Sequence, residues 1–160
     1  MTEPATQTGT FVVTHADDDS ALIRNVETAQ VHTLASNPGF EIHEVLEATI
    51  EPEPPLEVTW QVVEIEDKRT IELVDTDLAP TTDSKERADA LEIGAVDRVE
   101  RAGRGEIHVL AVPPAETETA VSEILEDIET VARGARVGAV RVEVRRVPED
   151  GIVSVRYLPD

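Results

Sequence analysis

The chain has 160 residues, of which 34 are acidic and 14 are basic, and its formal net charge is −20. It contains no Cys, which excludes disulfides, thiolate metal sites and thiol catalysis. No run approaches the roughly 20 apolar residues of a membrane helix, and residues 1–10 lack the basic and apolar regions of a signal peptide, so we expect a soluble, cytoplasmic protein.

Two interpretations of the acidic composition are open. High net charge with only four aromatic residues is typical of disordered chains. The alternative is a folded protein adapted to concentrated salt, because the Debye length of about 3 Å at 1 M ionic strength screens repulsion between surface carboxylates. The periodic apolar pattern described below favours the folded, salt-adapted interpretation.

The first predicted unit spans residues 8–75 and consists of short strands separated by turn residues. The strand spacing predicts a small antiparallel β-barrel or sandwich. Asp67 and Lys68 are predicted to form the last turn, before a sixth strand. The six predicted strands are 11–16, 21–26, 30–36, 44–50, 56–66 and 70–74.

Residues 76–105 are predicted to form a linker with one short helix. Asp83 and Glu86 have the spacing of a capping box, and Gly94 is placed to end the helix. Arg101 and Arg104 lie in the segment RAGRGE, whose glycines form either a flexible joint or a backbone nest for an anion. These two arginines are therefore tentative binding residues.

The third region, residues 106–159, is predicted to be a β-α-β-β unit. Apolar residues recur at helical spacing over 116–136, and Gly138 is placed to stop that helix. The first two strands are predicted to run parallel through a right-handed crossover, and the last two to form a hairpin around PEDG. The fold class predicted for the whole chain is therefore α+β.

Several blocks of the sequence, taken together, resemble a known family. They are GTFVVTHADDDSALIRNV, QVHTLASNPG, EPEPPLEVTW, RAGRGEIHVLAVP and VRVEVR…DGIVSVRYLP. The chain resembles an uncharacterised haloarchaeal protein family, a domain of unknown function, over nearly its whole length. The resemblance implies a salt-loving archaeon and a cytoplasmic location, and it implies no catalytic or binding residues. The segment VLEATIEPEPPLEVTWQVVEIE also resembles the later strands of OB-type nucleic-acid-binding barrels.

Catalytic and metal sites are not indicated by the remaining motifs. Asp17, Asp18 and Asp19 are consecutive, whereas calcium loops alternate their carboxylates, so this run predicts a hairpin turn. His15, His32 and His43 all fall in the first unit, which leaves clustering across strands open, but no histidine pair has the helical spacing of a zinc motif. We predict no catalytic residue, no metal and no cofactor.

The arginines of the last hairpin are the main candidate binding residues. Alternation predicts that Arg141, Arg145 and Arg156 share one outward face with Glu143, and that Ser154 is also outside. One interpretation is cross-strand ion pairs, each worth less than about 1 kcal/mol. The other is an anion-binding face, which in high salt must act through short bidentate contacts of the kind that Arg makes.

Three hypotheses about function follow from these features. The first is a non-enzymatic binding protein of a salt-adapted archaeal cytoplasm, which binds RNA or a ribonucleoprotein through the arginine-lined sheet face. The alternative is a protein-interaction or assembly module, in which that face meets an acidic protein or a second copy of the chain. The third is an enzyme acting on a small anionic metabolite. No membrane partner is expected.

The charge is divided unequally along the chain. Residues 1–97 hold 22 acidic and 5 basic residues, and residues 98–160 hold 12 and 9, so the balances are −17 and −3. Because like charges repel, we expect the fold to loosen at low salt, chiefly in the first predicted unit.

Overall fold

The computed structural model describes residues 6–54, 58–100 and 105–159, with Glu100 described by its backbone only. These residues form ten strands in two sheets and three α-helices, which confirms the predicted α+β class. The chain divides into two compact units. The first unit comprises Met1–Ile71 and Val131–Arg136, and the second unit comprises Glu72–Thr130 and Val137–Asp160.

The sheet of the first unit is a closed ring of five strands. The ring order is β1-β2-β3-β5-β4, and β4 pairs again with β1. All neighbours are antiparallel except β3 and β5, which run parallel and pair only at Leu34 and Trp60. The strands are β1 (Gln7–Ala16), β2 (Ala21–Asn25), β3 (Val31–Leu34), β4 (Val45–Pro52) and β5 (Trp60–Arg69).

Alternating apolar residues of these strands fill the interior of the ring. Phe11, Ile23, Leu34, Leu46 and Ile50 are all at most 1% exposed and belong to one core cluster. Burying each such side chain contributes roughly 1.5–3 kcal/mol. The ring therefore has an apolar core despite the scarcity of aromatic residues.

The acidic run at 17–19 forms the β1–β2 turn, as predicted. The Asp17 carboxylate accepts hydrogen bonds from the backbone N–H groups of Asp19 (2.9 Å) and Ser20 (2.7 Å). These bonds stabilise the ionised form and lower the pKa of Asp17. Asp17 thus has a structural role in closing the turn.

The sheet of the second unit has five strands in the order β6-β9-β10-β8-β7. Two of its strands depart from the sequence-based prediction. The sixth strand was expected to end the first unit, but β6 pairs parallel with β9, and β7 lies in the region predicted to be a linker. The strands are β6 (Glu72–Asp75), β7 (Val96–Glu100), β8 (Glu106–Ala111), β9 (Arg141–Val147) and β10 (Ile152–Leu158).

The helices are α1 (Thr82–Asp89), α2 (Thr117–Glu126) and α3 (Ile128–Arg136). α1 is capped by Thr81, whose hydroxyl accepts from the N–H of Ser84 (3.2 Å), and not by the predicted pair at 83 and 86. The single helix predicted over 116–136 is interrupted at Asp127, which is extended and accepts from the N–H of Glu129 (2.9 Å). No helix in the described ranges is both long enough and apolar enough to cross a bilayer.

The central strand β10 is covered on both faces. α1 packs on it through Ala88, which clusters with Ile152, and α2 packs on the opposite face. Ser154 is consequently fully buried, which corrects the prediction that it lies outside. β8 and β9 do run in the same direction, as predicted, but β10 is inserted between them and is antiparallel to both.

Candidate functional site

The hairpin of β9 and β10 brings three of the predicted binding residues together. Arg141, Glu143 and Arg145 alternate along β9, and Arg156 of β10 stands directly opposite Glu143. Residues that are opposite in an antiparallel pair share a face of the sheet. We call Arg141, Arg145 and Arg156, grouped around Glu143, the arginine face.

Glu143 is the common ion-pair partner within the arginine face. Its buried carboxylate lies 2.6 Å from Arg145 Nε and 3.8 Å from Arg141 Nη2. Arg145 also donates to the carbonyl of Ala79 in the segment before α1 (3.3 Å), and Arg156 has interactions of its own within the chain. A ligand at this face therefore competes with a carboxylate that is already in place.

The other arginines of the region have different positions. Arg146 points to the opposite face of β9, where it pairs with Asp75 and, at 2.9 Å, with Glu118 of α2. The hydrogen bond to Asp75 is the main cause of the raised pKa of Arg146. Arg101 and Arg104, the tentative anion nest, lie outside the described residues.

His32 on β3 is the most deeply buried titratable side chain of the first unit. Its ring packs edge-on against Trp60 (4.4 Å between centroids) and Phe11 (5.9 Å), and only 1% of the residue is exposed. Neither ring nitrogen has a hydrogen-bond partner among the described residues. Burial lowers the pKa of His32, so the ring is neutral near pH 7.

The metal-ligating side chains of the described residues are dispersed. Over 6–54, 58–100 and 105–159 there is no cluster of three His, Cys, Asp or Glu side chains that could hold a metal ion. A depression of about 630 Å³ beside the β1–β2 turn is lined by Asp17, Asp18 and Glu41, among others. Asn37 also lines the depression. Its side-chain amide donates a hydrogen bond to the carbonyl of Asp17 (2.8 Å), and its side-chain oxygen accepts one from the backbone N–H of Phe40, so Asn37 stabilises the β1–β2 turn.

Strand β5 has an open edge. It pairs with β4 along its whole length, from Trp60 to Arg69, but with β3 only at Trp60. Beyond Trp60 its second edge has no neighbouring strand among the described residues. Residues 63–68 are all exposed, and the apolar Val63 and Ile65 are 49% and 44% exposed.

Two bulges interrupt the regular pairing of β5 with β4 beyond Trp60. The register of β5 against β4 skips Val63 and Glu66, so each is the extra residue of a bulge. A bulge bends its strand and increases the local twist. The β3–β5 pairing ends after Trp60 because β3 itself ends at Leu34, the residue that pairs with Trp60.

The opening leaves a cleft of about 380 Å³ between β5 and the segment that follows β3. Ile65 pairs with the core residue Ala48, so its side chain is on the core side of β5 although nothing covers it fully. We call this feature the β5 cleft. Its lining residues are Ser36, Pro38, Gln61, Val62, Val63, Glu64 and Ile65.

The β5 cleft was not predicted from the sequence. The predicted fifth strand covers part of β5, but the prediction placed a turn at Asp67 and Lys68, where the strand in fact continues to Arg69. The available signal was the run Val62, Val63, which interrupts strict alternation and is typical of a bulge. Alternation alone gives no information about which strand lies on each edge.

Comparison with known proteins gives a family and no function. Residues 7–146 match the sequence model of a family described only as one of unknown function. This match confirms the inferred resemblance to a family of unknown function. No curated protein and no solved structure matches the chain.

Proposed function

Because the chain belongs to DUF5812, a family of unknown function, we propose its function from its own geometry. The protein is a non-enzymatic protein-binding module, and its β5 cleft accepts an extended segment of a partner as an additional strand. The observation that carries this proposal is the edge of β5 beyond Trp60, which is bonded to β4 on one side only.

The unpaired backbone of β5 supports strand addition. An open edge presents a row of N–H and C=O groups that an extended peptide can pair with, and side-chain pockets beside the edge then give specificity. Folded proteins commonly protect such edges with Pro, charged side chains, β-bulges, short strands or a covering element. The open part of β5 has no Pro and spans nine residues, Gln61–Arg69, but it has bulges at Val63 and Glu66 and several charges, so a partner strand must match its bend and its charge pattern.

The location proposed for this module is the cytoplasm of a salt-adapted archaeon. The support is compositional: a net charge of −20 and twelve Arg against two Lys. Concentrated salt strengthens apolar burial and screens surface repulsion. Binding through backbone hydrogen bonds and apolar contacts is suited to such conditions, because neither depends on long-range attraction.

Selection from a random peptide library, with the full chain as bait in 1 M KCl, tests the proposal. We expect enriched peptides that protect the backbone amides of residues 61–68 from hydrogen exchange. Val63→Asn is expected to weaken their binding at least tenfold, whereas Val140→Asn, at a valine of similar exposure (48%), leaves it unchanged. Protection elsewhere in the chain, or no enrichment, contradicts the proposal.

RNA binding is a second candidate, favoured by the architecture of the first unit. A ring of five strands is also the general architecture of OB-type barrels, which bind oligonucleotides. In this hypothesis the arginine face, which belongs to the second unit, is a candidate contact for phosphate groups. A titration of labelled RNA at several KCl concentrations tests it, and the Arg141→Ala and Arg145→Ala variants are expected to bind more weakly. No binding at low molar salt, or binding that both changes leave intact, rejects RNA as the ligand.

A further inference from the structure

We propose that the segment bound in the β5 cleft is cationic, with Lys or Arg at alternate positions and β-branched residues between them. This inference rests on the proposed strand addition and specifies the chemistry of the partner. It is carried by the charges of the open edge, the side chains of the cleft and the geometry of strand pairing.

The open edge of β5 carries carboxylates that the described residues do not neutralise. Asp67 is paired with Arg69 (2.8 Å), and Lys68 lies 3.8 Å from Glu44. Glu64 and Glu66, by contrast, have no ion-pair partner in the described part of the chain, and both are exposed. Two negative charges therefore remain available within one stretch of strand.

Strand pairing brings these carboxylates into contact range of an added segment. Neighbouring strands are about 4.8 Å apart, and side chains directly opposite have Cβ atoms roughly 4.5–5.5 Å apart. Lys or Arg opposite Glu64 or Glu66 would therefore form a direct ion pair. A carboxylate at the same position would be destabilising, because like charges opposite each other repel.

The same argument excludes a second copy of β5 as the preferred occupant. Pairing two β5 strands about a two-fold axis brings the acidic stretch Glu64–Asp67 of each copy against that of the other. Each copy supplies Lys68 and Arg69 next to this stretch, but Lys68 already lies beside Glu44, and Arg69 already pairs with Asp67 and Glu47. Charge complementarity thus favours a basic segment of a different protein.

The apolar lining of the β5 cleft determines which residues are expected between the cations of the bound segment. Val62 and Ile65 lie on the core side of β5, and Pro38 faces them across the cleft. β-branched side chains pack well on a pleated, half-buried surface of this kind. An added strand therefore directs one set of side chains into the cleft and places its cations beside the carboxylates.

Three labelled eight-residue peptides test the inference on the full chain by fluorescence anisotropy in 0.5 M KCl. Each alternates a variable residue with Val or Thr, and the variable residue is Lys, Gln or Glu. We expect the Lys peptide to bind at least tenfold more tightly than the Glu peptide, with the Gln peptide between them. Equal affinities, or a preference for the Gln or Glu peptide, overturn the inference.

Charge reversal provides the matched control. The double variant Glu64→Lys/Glu66→Lys is expected to prefer the Glu peptide. Glu123→Lys/Glu126→Lys changes the net charge equally at exposed positions of α2 and is expected to retain the preference for the Lys peptide. Circular dichroism of both variants verifies that they fold, and a first variant that still prefers Lys contradicts the inference.

Hydrogen exchange separates failure of this inference from failure of the proposed function. If all three peptides bind equally and protect the amides of residues 61–68, strand addition holds and the cationic preference is wrong. If peptides bind without protecting β5, or if none binds, both proposals are rejected.

Discussion

At the scale of single residues, burial of His32 disfavours the charged form of its ring and lowers its pKa. Its ring is enclosed by Phe11 and Trp60 and has no hydrogen-bond partner among the described residues. A charged imidazolium in this position would be costly, because a buried charge without a partner is strongly disfavoured. The folded first unit therefore requires a neutral His32.

We predict that His32 makes the protein less stable as the pH falls below about 6.5, the ordinary pKa of His. The folded state has the lower pKa, so the unfolded chain binds the proton first and the free energy of unfolding decreases. The slope reaches at most about 1.4 kcal/mol per pH unit for one proton. His32→Leu is expected to remove this part of the pH dependence.

Urea unfolding of both proteins between pH 8 and pH 5, at constant KCl, measures this effect. The carboxylates titrate in both proteins, so the difference between the two curves isolates His32. If the free energy of unfolding depends on pH in the same way in both proteins, the His32 ring accepts a proton in the folded state without loss of stability, and the prediction is wrong.

At the scale of elements, the β9–β10 hairpin depends on one glycine. Gly151 has φ +67°, and a Cβ at this position would lie 1.9 Å from the carbonyl oxygen of Val112. The backbone N–H of Val112 also donates to the carbonyl of Gly151 (2.8 Å), so neither backbone can move away freely. The close approach explains why Gly is required at the end of the sequence PEDG.

We predict that Gly151→Ala lowers the free energy of unfolding by about 3 kcal/mol or more, because left-handed strain is added to a backbone clash. Gly138→Ala is the matched control. Gly138 has a similar φ of +75°, but a Cβ there meets no atom within 4 Å, so only the strain of about 1–2 kcal/mol is expected. Chemical denaturation of the two variants measures the free energy of unfolding. If both variants lose the same amount, the proposed backbone clash at Gly151 is wrong.

The hairpin also shows why the arginines gather on two strands. Glu143 stands between Arg141 and Arg145 on β9, and Arg146 connects β9 to β6 and α2 through Asp75 and Glu118. The pairs of Glu143 lie within β9, whereas those of Arg146 join β9 to β6 and to α2. Ion pairs within the chain thus involve Arg141, Arg145 and Arg146, but the cross-strand pair among these is that of Arg146 with Asp75, outside the arginine face.

At the scale of the whole molecule, the negative charge is shared almost equally between the units. The first unit has 14 acidic and 5 basic residues, and the second has 20 and 9, so the balances are −9 and −11. The division at residue 97 gave a different result because residues 72–97 belong to the second unit. Self-repulsion therefore acts on both units.

We predict that dilution from 2 M to 0.05 M KCl destabilises both units to a similar extent, because repulsion between carboxylates is no longer screened. The expected result is a lower midpoint of thermal unfolding and faster amide exchange in both sheets. Circular dichroism and hydrogen exchange at the two salt concentrations measure it. If amide exchange becomes faster in the first unit only, this prediction is wrong and the sequence-based expectation of loosening chiefly in the first unit is supported.

The sequence by itself determined the features that depend on neighbours along the chain. The β1–β2 turn at Asp17, the hairpin at PEDG and the α+β class were predicted correctly, because turn residues and alternation are local signals. The interruption at Asp127 was missed because the apolar helical spacing continues across it.

Only the tertiary structure decided which strands are neighbours and which edges remain open. β6 pairs with β9, some 70 residues away, and no local pattern indicates that choice. The open edge of β5 and the burial of Ser154 likewise depend on elements distant in sequence. Alternation fixes the side of a strand on which a residue lies, but packing between distant segments determines whether that side, or that edge, meets protein or solvent.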